Sequence, residues 1–180
     1  ITRVDLQNKT VRAGGKTISY DRLVNTLPLP AFLRLLKGQP RLTALADQLA
    51  YTSVNVYNLA LKKPLKLFSW IYFPDQEDPF YRVGLQSGFS PANAPRGTSS
   101  LYIEVPAALP RTARTEKRIW KALVQKGIIE EHDEVLFSFW QPLPYAYAVY
   151  DRRRSRAVRQ ALAALAKRGC FCAGRYGRWE

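Results

Sequence analysis

The chain has no methionine, one histidine and two cysteines among its 180 residues. Each scarcity closes a class of chemistry. His132 is the single imidazole, so Ser-His or Cys-His catalysis has one candidate base. It stands in the acidic stretch "IIEEHDE", which reads as a solvated loop between a helix and a strand. Two cysteines and one distant histidine fall short of the four ligands of a zinc site, and no metal site is expected. Cys170 and Cys172 are spaced C-x-C. On a strand that spacing sends both sulfurs to one face, where a disulfide between them would be strained. They read as buried free thiols, which fits a reducing cytoplasm as the expected location.

No run nears the ~18 apolar residues of a membrane-spanning helix, and no charged-then-apolar leader is visible. G-x-G-x-x-G, G-x-x-x-x-G-K-[ST] and G-x-S-x-G are all absent, so a dinucleotide fingerprint, a P-loop and a nucleophile elbow are missing from these residues. With no methionine and Ile1 at its head, the sequence is expected to be a piece of a longer protein.

What is present is basic and globular. Lys and Arg number 28 against 14 Asp and Glu, a net charge of +14, which implies anionic partners. A hydrophobic fraction of 47% and an aromatic fraction of 12% suit one buried core, or one domain with part of another.

The opening reads as a small β-meander: "TRVDL", "KTVRA" and "KTISYD", with Gly14-Gly15 as a two-residue hairpin turn. Leu23-Val24 is a short strand, Pro28 and Pro30 break it, and a helix begins at Ala31. The periodicity of Leu42, Leu45 and Leu49 predicts a helix over 42–50. Strands follow over 52–63, with Val54, Val56 and Asn58 on one face, then over 67–73, 80–86 and 99–106. "TEKRIWKALVQKG" (115–127) is an amphipathic helix on Ile119, Trp120, Leu123 and Val124, closed by Gly127. Strands are expected over 133–143 and 145–151, with Tyr145, Tyr147 and Val149 on one face. Pro142 and Pro144 mark an edge. A second helix over 152–168 carries Val158, Leu162 and Leu165, with Asp151 at its N-cap and Gly169 after it. Arg152, Arg153, Arg154 and Arg156 crowd its positive N-terminal end, which either a bound anion or splaying into water would relieve. "CFCAGR" is a last buried strand. The class is α+β: a mixed, largely antiparallel sheet with helices packed on it.

"GRYGRWE" (174–180) follows that strand. The glycines let backbone approach a ligand, Arg175 and Arg178 can grip phosphate, and Tyr176 and Trp179 offer ring faces. It lies at the carboxyl end of a strand, where α/β sheets place their ligands, and no helix follows it in these residues. A packed Gly-rich turn accounts for the same residues equally well.

Four segments together, "ISYDRLVNTLPLPAFLRLL", "SWIYFPDQEDPFYRVGLQSGFSPANAPRGTSSLYIEV", "LPYAYAVYD" and "GRYGRWE", resemble the flavin-containing amine oxidase superfamily. The resemblance is to its branch of UDP-galactopyranose mutase and protoporphyrinogen-oxidase-like proteins, and it runs over most of the chain. It implies a domain order: 1–28 as the end of a flavin-domain segment, 29–150 as the substrate-binding domain, 151–180 as the return to the flavin domain. It implies FAD as cofactor of the longer parent, bordered by Gly174, Arg175, Gly177, Trp179, Thr26 and Pro28. It implies that Tyr145, Tyr147 and Trp70 shape a pocket for a small substrate, such as an anionic nucleotide sugar. No residue reads as the acid-base catalyst. Without the glycine fingerprint these residues alone are expected to be inactive, with self-association through surface that the flavin domain covers. The alternative is a basic nucleic-acid-binding module, resting on the +14 charge, "RRRSR" and aromatics beside arginine; no RNP-like or helix-turn-helix pattern accompanies it.

Overall fold

A computed structural model describes residues 1–65, 69–75 and 77–180. In chain order the strands and helices are β1 Arg3–Asp5, β2 Thr10–Ala13, β3 Lys16–Ser19, β4 Leu23–Asn25, α1 Leu29–Arg34, α2 Pro40–Leu45, β5 Tyr51–Leu61, β6 Trp70–Tyr72, β7 Arg82–Leu85, α3 Gln86–Phe89, β8 Ser99–Pro106, α4 Ala113–Gln125, β9 Val135–Ala148, α5 Arg154–Ala166, β10 Cys170–Cys172 and α6 Gly174–Arg178. They fall into two compact units. One is Ile1–Thr52 with Tyr147–Glu180; the other is Ser53–Ala146. These compact units divide at 52/53 and 146/147. The reason is that α1 and α2 belong with the two ends of the chain: α1 packs on α2 and α6, and α2 on α5.

In the unit formed by the ends, the meander β1-β2-β3 is antiparallel, and Gly14 and Gly15 take φ of 54° and 77° at its hairpin turn, as the dipeptide demands. Asp5 stitches the β1–β2 connection. Its carboxylate accepts the Gln7 and Asn8 amides at 3.1 and 3.0 Å and pairs with Lys37 Nζ at 3.0 Å. The Leu42–Leu49 segment is not one helix: α2 ends at Leu45, and a 3₁₀ turn over Ala46–Gln48 carries Leu49 inward. α5 starts at Arg154. The Asp151 carboxylate still accepts the Arg153 and Arg154 amides at 3.1 and 2.8 Å, so it serves the helix end from outside. The buried stripe of α5 is Ala157, Ala161 and Leu165, one residue round from the larger Val158 and Leu162. Small side chains at i and i+4 let the helix pack closely on the strand that follows it, β10.

The unit Ser53–Ala146 is built on a five-stranded sheet in the order β6-β7-β8-β5-β9, whose β5, β7 and β8 pairings are antiparallel. Tyr57, Leu59, Leu61, Val83, Leu85, Leu101, Ile103 and Val105 form one buried hydrophobic core with Ile119, Ala122 and Leu123 of α4. The expected face of β5, with Val54, Val56 and Asn58, is therefore the one away from α4; Val54 and Val56 on it are buried and Asn58 is half-buried. The strands expected over 133–143 and 145–151 are one strand, Val135–Ala148. Pro142 and Pro144 do not break it because β9 lies at the sheet edge, where a missing N–H forfeits no ladder bond. Of the strand expected over 67–73, residues 67 and 68 lie outside the described ones. Gly127 and Gly169 close α4 and α5 with φ of 68° and 72°.

The Asn8 amide, then Lys37, hold the Asp5 carboxyl at a pKa of about 2, below its ordinary 3.8. A depressed carboxylate stabilises the fold above its unfolded pKa, and that contribution disappears as pH falls through the folded value. The urea midpoint is expected to drop as pH is lowered from 4 towards about 2. Asp5→Asn should start lower at neutral pH and show a flatter acid limb; an identical acid limb in the variant would remove Asp5 from the account.

Candidate functional site

The site is assembled where the two ends of the chain meet. β10 lies parallel to β4 in the register Cys170 to Leu23, Phe171 to Val24 and Cys172 to Asn25. Ala173 N extends the ladder onto Asn25 O at 2.9 Å. The Asn25 carboxamide is buried and spans three partners: Leu27 N at 3.1 Å, Leu27 O at 3.2 Å and Cys172 Sγ at 3.6 Å. One side chain thereby fixes both the exit of β4 and the end of β10. The strand ends carry Thr26, which is exposed, and Pro28, whose carbonyl accepts the Phe32 amide at 2.9 Å as α1 begins.

Residues 174–178 form a short helix, α6, in place of the Gly-rich turn that was one of the two readings of the sequence. Two glycines make it fit. Gly174 has φ of 70° and nothing within 4 Å of where a Cβ would stand. Gly177 is buried, and a Cβ on it would lie 2.5 Å from Asn25 O and 3.5 Å from Thr26 Cα. The close approach of backbone to backbone at Gly177 is what brings α6 onto the end of β4.

Trp179 ends α6 in the left-handed conformation, with φ of 60° and ψ of 51°. That is a strained position for a bulky residue. It is held by burial, at 1% exposure, and by an edge-to-face contact with Tyr51 at 6.2 Å. It is also held by Arg154, whose Nη2 donates to Trp179 O while its guanidinium lies 4.0 Å over the Tyr150 ring. Arg154 thus does not splay into water. Glu180 turns back: its amide meets Arg175 O at 2.9 Å, its carbonyl accepts Arg175 Nε at 3.0 Å, and its carboxylate pairs with Arg178 Nε at 2.9 Å.

The structure therefore brings Gly174, Arg175, Gly177 and Thr26 to one strand end, with Pro28 two residues on. Trp179 is part of the packing there and not an open stacking face; the exposed ring is Tyr176. Tyr147 joins the group, since the Arg175 guanidinium lies 6.0 Å from its ring centre. Tyr145 and Trp70 belong to the other unit, on strands β9 and β6 at opposite edges of its sheet. Trp70 stacks on Phe89 at 5.8 Å. Sequence reasoning missed Asn25 and Arg154. An Asn two residues before a Leu-Pro pair reads as an ordinary turn former, and Arg154 is hidden in a basic run.

The two thiols are unsuited to nucleophilic work. Burial pushes Cys170 up to about 12, with Cys172 adding to it, and burial raises Cys172 against the hydrogen bond from Asn25. Among the described residues no group of three or more His, Cys, Asp or Glu could hold a metal, and no helix is long and apolar enough to cross a membrane. His132 is a solvent-exposed loop residue paired with Glu130 at 3.2 Å.

No protein-family model matches the chain. Solved structures do. A reduced UDP-galactopyranose mutase superposes over 99% of this chain with a TM-score of 0.81 and 27% identity. A putative protoporphyrinogen oxidase from Exiguobacterium covers 93% with a TM-score of 0.63 and 12% identity. A fatty acid isomerase from P. acnes that produces CLA covers 96% with a TM-score of 0.59 and 16% identity. The chain spans about 40% of the length of these proteins: 40%, 39% and 41%. The resemblance of the sequence to the mutase and protoporphyrinogen-oxidase-like branch of the flavin-containing amine oxidase superfamily thus extends to the fold of nearly the whole chain.

If Gly177 seats α6 as described, Gly177→Ala should lower the stability of the fold by about 1–3 kcal/mol in urea unfolding, the usual range for overpacking. Amide exchange over residues 173–180 should quicken. Tyr176→Ala, at an exposed ring, should stay within about 0.5 kcal/mol. Equal behaviour of the two variants would show that backbone contact at Gly177 does not hold the segment.

Proposed function

We propose that this chain, folded like part of a UDP-galactopyranose mutase, supplies the cofactor lip and the substrate-side sheet of an FAD-dependent enzyme. The observation that carries the reading is the seating of residues 173–180 on the end of a parallel strand pair. α/β folds place ligands beyond the carboxyl ends of their parallel strands. The 27% identity to the mutase across 99% of the chain supports it.

The residues present fit part of FAD. Gly174 leaves open room beside the backbone, Arg175 is an exposed cation, and among the described residues only its Nε is engaged by a side-chain or backbone acceptor. Its terminal nitrogens remain donors for an anionic or carbonyl edge. The G-x-G-x-x-G turn that would bind the pyrophosphate is not in these 180 residues, so they contribute contacts and not the main dinucleotide site. FAD, when bound, supplies the electron chemistry through its ring system. The part of this chain is to orient and enclose. Gly174, Arg175, Gly177, Thr26 and Pro28 border the cofactor and Trp179 locks that border from inside; Tyr145, Tyr147 and Trp70 are each assigned to contact with substrate. Residues 1–52 with 147–180 act as flavin-side elements, and 53–146 as the substrate domain. The excess of arginine and lysine suits an anionic substrate such as a nucleotide sugar.

A further feature supports a larger sheet around β4 and β10. Val24 and Phe171 stand opposite each other in register and are 62% and 43% exposed. Parallel strands are almost always covered on both faces.

The test is a visible absorption spectrum of the longer gene product beside that of these 180 residues. A flavin spectrum in the long protein, none in the short chain, and weaker flavin retention in the long protein carrying Arg175→Ala are expected. No flavin in the long protein after incubation with FAD would overturn the reading. Salt-dependent binding of an oligonucleotide would then stand in its place.

A further inference from the structure

Helix α4 buries Thr115, Ile119, Ala122 and Leu123 and leaves its other side to solvent. On that side Arg114, Lys117, Arg118 and Lys121 are exposed. Their spacing, i, i+3, i+4 and i+7, sets all four on one stripe about 10 Å long. Arg111, also exposed, stands just ahead of the helix. The helix has a single carboxylate, and it does not answer them. Glu116 is drawn to β9, where its Oε1 accepts Trp140 Nε1 at 2.7 Å. Among the described residues no hydrogen bond or ion pair engages these five cationic side chains. Elsewhere in the unit Ser53–Ala146 cations are paired: Lys62 with Glu134, Lys63 with Glu130 and Asp133, Arg82 with Glu104 and Lys126 with Asp78. Of the remaining described cations only Arg96 lies outside residues 111–121. A solvated helix face gains from alternating signs; here one sign is kept, and each neighbouring pair repels.

Two hollows adjoin the stripe, and Arg118 lines both. The first, of about 320 Å³, is lined by Leu109, Pro110, Thr112, Arg114, Thr115 and Arg118, with no carboxylate among them. The Thr112 and Thr115 hydroxyls lie 3.2 Å apart and bond to each other. That leaves an apolar leucine and proline beside two unpaired guanidinium groups. The second, of about 480 Å³, is lined by Arg118 and Lys121 of the stripe and by Glu77 and Asp78 of the β6–β7 connection. Asp78 is already held there by Lys126 at 3.0 Å.

We infer that this stripe docks an acidic segment of a partner protein, an extended peptide with carboxylates around one apolar side chain. The carboxylates meet Arg114, Lys117, Arg118 and Lys121, and the guanidinium forks match their two oxygens. The apolar side chain enters the hollow beside Leu109 and Pro110. A run of one sign against its opposite sets partner choice and speeds encounter. Single-stranded nucleic acid is held by stacking as well as charge, and no aromatic side chain lines either hollow. A flat anionic bilayer would meet the cations and leave the apolar hollow unfilled. The inference does not rest on the flavin reading, because none of its residues lies in 174–180.

The experiment is a fluorescence anisotropy titration of the longer gene product, with the 180-residue chain beside it. The probe is a fluorescein-labelled peptide with one leucine between two pairs of glutamates. Binding is expected at a Kd of about 10–100 μM. It should weaken about fivefold as salt rises from about 0.05 to about 0.2 M. Arg118→Glu should weaken it about tenfold or more, and a peptide with alanine in place of leucine about fivefold. Lys121→Glu serves if the first variant unfolds, which far-UV circular dichroism reads. Amide exchange over residues 109–121 should slow when peptide is bound. Unchanged anisotropy at about millimolar peptide, unaltered affinity in both variants, or equal binding of the alanine peptide would overturn the assignment. Tighter binding of oligothymidylate or of phosphatidylserine vesicles would also overturn it. So would binding by the short chain alone, which would give the stripe to a segment of the longer protein. The visible-spectrum test of the flavin reading is unaffected by any of these outcomes.

Discussion

One parallel pairing, between strands almost a full chain length apart, organises the unit made from the two ends. β4 and β10 meet in register across residues 23–25 and 170–172. Closing so long a loop costs chain entropy that local hydrogen bonds do not recover. The pairing is secured by side-chain and backbone contacts that converge on Asn25. Its carbonyl takes the Ala173 amide, its carboxamide closes the Leu27 turn and reaches Cys172, and its carbonyl sets the distance at which Gly177 can pass. Remove that node and the exit of β4, the end of β10 and the position of α6 lose their common reference. A buried Asn with both ends of its carboxamide engaged costs little to bury and specifies one arrangement.

The unit Ser53–Ala146 is held differently. Its core is a sheet face against one amphipathic helix, and its order comes from area rather than from a polar node. That leaves the other face free to carry polar and aromatic groups. There Arg82 binds the buried Glu104 and the Tyr72 hydroxyl and lies within 6 Å of two tyrosine rings. The missing side chain at Gly84 and the leaning ring of Tyr102 compensate for each other.

Much of this was legible in the residues. Gly-Gly gave the meander turn, periodicity gave α4 with its glycine terminator, and β8 lies over 99–106 as read. The family resemblance rested on motif segments and found the fold. Three kinds of information were not legible. Edge position decides whether Pro142 and Pro144 break a strand, and edge position is a property of the sheet order. Helix rotation decides whether Val158 or Ala157 faces inward, and there the small residues win because β10 lies close. Contact at backbone level decides that 174–178 coil into a helix: Gly177 reads as flexibility in sequence, whereas in the fold it is an approach distance.

The arginine run shows the same limit in electrostatic form. Cations at the first turn of α5 oppose the positive end of its dipole, and the sequence offered two ways out: a bound anion or solvent. Arg152, Arg153 and Arg156 are exposed to solvent, and Arg154 takes a third way. Arg154 is drawn off by a carbonyl at the carboxyl end of α6, where the backbone dipole is negative, and its charge is spread over the face of Tyr150. Asp151 answers the amides that the helix leaves open, and Arg153 pairs with it at 3.4 Å. The carboxyl of Asp151 is held below its ordinary value, chiefly by the Arg154 amide. The start of α5 and the end of α6 thus satisfy each other through one side chain. The strained Trp179 backbone persists because the same cation grips its carbonyl. A change at Arg154 would therefore be felt at both helix ends, at the start of α5 and at the lip formed by residues 174–180.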